Sequence, residues 1–181
     1  MARGPALRRP TSSWRRIDAA SRWIFPCATL VFGLFVIGMP FGIPGQAALR
    51  PVYAMACVYF WSLYRPASLP APLVAACGLL LDLLGFSPFG LWAVLLLGLQ
   101  WVTLLLRRKL APARFLLNWP VFALMAAICA ALAWAGESAL TFTWLPTTPL
   151  LLEILLAAGL YPGLAALLIR AHRGPAAVEL A

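Results

Sequence analysis

Histidine and acid are scarce in this chain. Its 181 residues include one histidine, His172, and five acids, against fourteen basic residues. His172 lies among basic residues near the C-terminal end, where a lone histidine is ordinarily solvated. No Gly-rich phosphate loop is present, and no base stands near Ser87 beyond Asp82, five residues away. The usual nucleophile, metal and nucleotide patterns are therefore missing. The chain is read as a non-enzyme with no cofactor and no metal. The four cysteines, Cys27, Cys57, Cys77 and Cys129, form no C-x-x-C pair, and each lies in an apolar run. They are expected to be small packing residues, with neither a disulfide framework nor a metal site. No internal repeat is visible.

Apolar residues dominate instead. The chain is 64% hydrophobic and 10% charged, with a mean hydropathy of +0.92. Soluble domains are about half apolar and about a quarter charged. These apolar residues come in long runs rather than amphipathic stripes, which indicates an integral membrane protein. A net charge of +9 in a soluble protein would raise nucleic acid as a partner. Here the basic residues flank the apolar runs, so anionic lipid headgroups are the expected partner and nucleic acid is not.

The runs predict an all-α bundle of six spans, at residues 23–41, 47–64, 67–85, 88–106, 115–135 and 149–169. At ~1.5 Å per residue such lengths reach, or nearly reach, the ~30 Å hydrocarbon thickness. The first run has 19 residues. That exceeds the roughly 7–15 of a signal-peptide core, so it is read as an uncleaved span. A basic tail at 1–22 carries Arg3, Arg8, Arg9, Arg15, Arg16 and Arg22. The transmembrane domain would occupy 23–170 and a short tail 171–181. With both ends inside, thirteen of the fourteen basic residues face the cytoplasm and only Arg50 does not. The positive-inside rule selects this N-in, C-in orientation. Spans 3 and 4 either cross fully or form a re-entrant hairpin.

Asp82 is the one acid deep in an apolar run. Exposing a carboxylate to lipid costs roughly 2.5–3.5 kcal/mol on insertion scales. On a helix it shares a face with Ala75, Gly78 and Gly85, so this small-residue face is expected to pack on another helix. Arg50, the only outer cation, is the candidate partner for Asp82 or Glu153. The group is either a functional polar cluster or an architectural ion pair. Glu137 is expected in the exposed outer loop. Ser87 is expected to cap span 4, with Pro88 as its first helical residue. Ala123, Ala127 and Ala131 in span 5, with Ala126 and Ala130 beside them, and Gly159-x-x-x-Gly163 in span 6, have the spacing of helix-packing stripes.

The stretch Gly78-LLLDLLGFSPFG-Leu91-Trp92 resembles the signature region of the MreD family, the rod shape-determining membrane proteins of bacteria. That region is an apolar run ending in G-L-x-x-D, a short turn with glycine and proline, and an apolar run closed by basic residues. The matching positions here are Gly78, Leu79, Asp82, Gly85, Pro88 and Gly90, with Arg107, Arg108 and Lys109 as the stop. The last span also ends Tyr161-Pro162 before basic residues. The resemblance extends over roughly 24–173 and leaves the long basic tail unaccounted for. It implies a non-enzymatic inner-membrane subunit of the cell-elongation machinery. Its partners would be an MreC-like protein and the wall-elongation synthases, with an indirect link to MreB filaments. The family also resembles, in helical layout, the substrate-binding subunits of energy-coupling-factor vitamin transporters. That gives a competing expectation: an outer pocket using Trp92, Trp134 and Trp144.

Overall fold

A computed structural model describes residues 26–39, 42, 45–85, 87–111 and 115–177. The basic tail at 1–22, the first residues of the expected span 1, Arg114 and the end of the C-terminal tail lie outside the described residues. Within them the chain is all-helical. The helices are α1 (Pro26–Gly38), α2 (Gln46–Tyr64), α3 (Ala71–Gly85), α4 (Leu91–Leu110), α5 (Phe115–Thr141) and α6 (Thr148–Ala177). A single 3-10 turn, Pro66–Ser68, lies between α2 and α3.

Six helices therefore stand where six spans were expected, but three of them carry the length and apolarity to cross alone. These are α4, Leu117–Thr141 of α5 and Thr148–Leu168 of α6. α1 and α3 are apolar but shorter. The 15 residues of α3 rise only ~22 Å. Its late start has a local cause. Pro66 and Pro70 interrupt the chain, and Pro70 stands just before the helix, its carbonyl accepting from the N–H groups of Leu73 and Val74. The expected short tail at 171–181 is also altered, because α6 continues through Ala177.

α2 is the hub, packing against α3, α4, α5 and α6. Twelve of its 19 residues are buried. Gln46 and Arg50 stand half-buried in its first turns, and Ser62 is buried near its end with the hydroxyl unpartnered. Tyr59 of α2, Phe122 of α5 and Tyr161 of α6 stitch the bundle together. The Phe122 and Tyr161 rings stack at 4.1 Å, and Tyr59 lies 5.2 Å from Phe122. α1 closes on α2 where Gly33 leaves room for the Tyr53 ring, whose hydroxyl donates to the Thr29 carbonyl at 2.6 Å.

The surface is the reverse of a soluble protein's. Val94, Trp101, Leu124, Leu155 and Leu167 all point outward and exposed, while Asp82, Gln100, Thr103 and Asn118 are buried. A continuous apolar exterior of this extent would not stay dispersed in water. Lipid is the solvent that suits it, and the chain is a multi-span helical membrane protein.

Candidate functional site

The site is built around the hairpin of α3 and α4, which pack extensively on one another. Its closeness begins at Gly78. A Cβ there would collide with the backbone N and Cα of Ala93 and would lie 2.8 Å from the Trp92 carbonyl carbon. Only glycine allows the helices to meet at this point. One turn further along α3, on the same face, Asp82 reaches the start of α4. One carboxylate oxygen accepts from the Gly90 N–H at 2.8 Å and the other from the Trp92 N–H at 3.0 Å. Asp82 is 1% exposed.

A helix start leaves its first N–H groups without partners, and in lipid no water is present to satisfy them. Asp82 does so from a neighbouring helix. Negative charge is also favoured at this end of the helix dipole. Gly90 holds φ +92 at the N-cap of α4, a left-handed conformation that suits glycine. Its own lack of a side chain leaves the capping to Asp82.

The other expected site residues are arranged differently from the polar cluster read from the sequence. Arg50 is not ion-paired with either acid among the described residues. Its guanidinium donates to the Leu84 carbonyl at 2.7 Å and the Gly38 carbonyl at 3.4 Å, joining the ends of α3 and α1. The oxygens Asp82 would have offered it are taken by backbone N–H groups. Glu153 has a buried oxygen, Oε1, without a hydrogen-bond partner. Glu137 is not in a loop. It lies within α5, half-buried, and accepts from the Ser87 hydroxyl at 2.8 Å. Ser87 therefore does not cap α4, and Pro88 precedes the helix instead of opening it. Gly85 is exposed and lies against the Ser87 hydroxyl.

The packing stripes also shift. On α5 the buried face runs through Phe122, Ala126, Cys129, Ala130 and Ala133. Ala123 and Ala127 are half-buried and Ala131 is exposed, because the contact face is turned toward α4 and α6. Gly159 and Gly163 are exposed and meet no helix among the described residues, since a Cβ on either would find nothing there within 4 Å. Their face of α6 is open.

Several polar contacts escaped the sequence reading. Gln100 donates to the Leu69 carbonyl at 2.8 Å, and Arg107 donates to the Leu63 carbonyl at 3.0 Å. Together they satisfy carbonyls where the chain leaves α2 and enters the non-helical segment before α3. Irregular backbone at membrane depth is tolerated only where protein covers it, and Ser68 and Leu69 are buried. An amide inside the apolar run of span 4 was the available signal. Asn118 is buried with neither amide atom hydrogen-bonded.

At the other end of the bundle, Trp134, Ser138, Phe142, Thr143 and Trp144 line an open hollow of about 550 Å³. Trp92, expected beside them, is instead buried in the core. Comparison with protein-family models, curated proteins and solved structures returned no match.

Proposed function

We propose that this chain is a non-enzymatic subunit of the bacterial cell-elongation complex. It helps maintain cell shape by scaffolding an MreC-like protein and the lateral peptidoglycan synthases. In this reading it crosses the inner membrane six times, with both termini in the cytoplasm. The observation that carries the proposal is the α3–α4 hairpin. The positions by which the chain resembles MreD have concrete work in its folding: Gly78 makes the close approach, Asp82 caps the facing helix, and Gly90 supplies the left-handed turn. The open Gly159 and Gly163 face on α6 adds support, because small residues at this spacing suit the approach of a second helix.

The test is loss and restoration in the native rod-shaped bacterium. Depletion of the protein rounds the cells, and the wild-type chain restores rods. Gly159→Leu with Gly163→Leu leaves the purified protein as stable as wild type but fails to restore shape and loses the MreC-like partner on affinity capture. Rod shape in a clean deletion lacking a second copy ends this reading.

The aromatic hollow beside Trp134 and Trp144 favours one other reading, a substrate-binding subunit of a vitamin transporter. Its polar lining is confined to Ser138 and Thr143, whereas buried ligands are fixed by several convergent polar groups. A vitamin copurifying with the chain would support it.

A further inference from the structure

We propose that the cleft between α4 and α5 holds one acyl chain of an anionic phospholipid, with the headgroup bound by Arg108 and Lys109. The cleft is about 400 Å³, and its walls include Val94, Trp101, Val102, Ile128 and Leu132. Gly98 lies in it, and a Cβ there would meet nothing within 4 Å, so the helix surface is recessed at that point. No charged or amide side chain lines it. Such a space offers water no partners, and its outward-facing mouth opens onto the hydrocarbon.

The direction of the cleft identifies what fills it. Val94, Gly98, Trp101, Leu105 and Arg108 recur at three- and four-residue spacing, so they form one face of α4. Val102 and Lys109 run beside them. At ~1.5 Å per residue Gly98 lies ~15 Å above Arg108, and half of a ~30 Å hydrocarbon core is also ~15 Å. A chain whose headgroup rests on Arg108 ends beside Gly98. Arg107 is engaged with the Leu63 carbonyl. Arg108 and Lys109 are exposed and make no hydrogen bond among the described residues. Two cations on the same side of α4, ~9 Å beyond Val102 where the cleft's α4 wall ends, complement a phosphate whose acyl chain runs over Leu105 into the cleft. They disfavour a second copy of this chain on the same face. In one membrane orientation a two-fold pairing brings like charges together at its inner end.

The inference depends on the chain lying in the membrane and not on its role in elongation, so its test uses purified protein and leaves cell shape aside. The full chain in mild detergent is given equimolar dioleoyl phosphatidylglycerol and dioleoyl phosphatidylcholine, and retained lipid is read by native mass spectrometry. The wild type is expected to retain phosphatidylglycerol preferentially. Arg108→Gln with Lys109→Gln lowers that preference by roughly tenfold. Gly98→Phe fills the cleft and lowers retention of both lipids, and Ile128→Trp does the same from the α5 side should Gly98→Phe fold poorly. Equal retention of the two lipids by the wild type overturns the proposal. So does an unchanged preference in the charge variant, which would leave the two cations as partners of the helix dipole alone. Wild-type lipid retention in both cleft-filling variants overturns it as well.

Discussion

Asp82 of α3 closes the first turn of α4 by accepting the N–H of Trp92 at 3.0 Å. It takes the Gly90 N–H with its second oxygen. Removing the carboxyl leaves the buried Trp92 N–H and the part-buried Gly90 N–H without their acceptor. Each such loss costs about 1–3 kcal/mol. Asp82→Leu is therefore expected to destabilise the protein by about 3 kcal/mol. Asp82→Asn keeps one acceptor oxygen and should lose about half as much. Thermal unfolding in detergent checks the order. Equal Tm values for Asp82→Leu and wild type would mean the cap contributes nothing.

Gly78 and Ala93 set how near α3 comes to α4. A methyl group at Gly78 meets rigid backbone, not a side chain that can swing aside. Gly78→Ala is expected to cost about 1–3 kcal/mol, the usual range for overpacking. Gly98→Ala and Gly159→Ala are the controls, because nothing lies near either position. They should be neutral or slightly stabilising, since alanine restricts the unfolded chain. A melting series of the three variants separates close approach from a general dislike of replacing glycine.

Arg50 joins α1 and α3 through two carbonyls, Gly38 and Leu84. A planar guanidinium donates in two directions at once, which a lysine ammonium does not reproduce from the same stem. Arg50→Met is expected to lose about 2 kcal/mol and Arg50→Lys about 1 kcal/mol, read as Tm in detergent. Full stability of Arg50→Lys would show that charge alone, without the two-way geometry, is sufficient.

The helix count was legible because lipid demands long apolar runs and the charges fall between them. Asp82 stood out for the same reason, and Gly78 one turn before it fixed which face is buried. The partner of Asp82 was not legible. The sequence offers side chains as candidates and lists no backbone groups, so Arg50 looked like the only available donor. The N–H groups of Gly90 and Trp92 become candidates only once the turn at 87–90 brings the start of α4 back onto α3. Glycine spacing was ambiguous in another way. Gly78 and Gly159 look alike as small residues in apolar helices, yet one meets backbone and the other meets nothing. Which helix stands opposite is a property of the whole bundle.

The depth of the α3–α4 turn bears on whether α3 and α4 make two full crossings, as proposed, or a re-entrant hairpin. Ser87 in that turn donates to Glu137 at 2.8 Å. Glu137 is four residues from the end of α5 at Thr141, a rise of ~6 Å. The turn thus lies at the level of the last turn of a helix long enough to cross by itself, a placement that suits the proposed pair of crossings and that labelling tests. Phe89 and Thr143 are exposed at this end, and Ala111 is exposed beyond the far end of α4. In intact cells, Phe89→Cys and Thr143→Cys are expected to react with a membrane-impermeant maleimide from outside. Ala111→Cys should react only after permeabilisation. Labelling of Phe89→Cys solely from the cytoplasmic side would reverse the orientation or reduce the number of crossings. The clustering of the thirteen basic residues that the proposed orientation places in the cytoplasm would then need a cause other than the positive-inside rule.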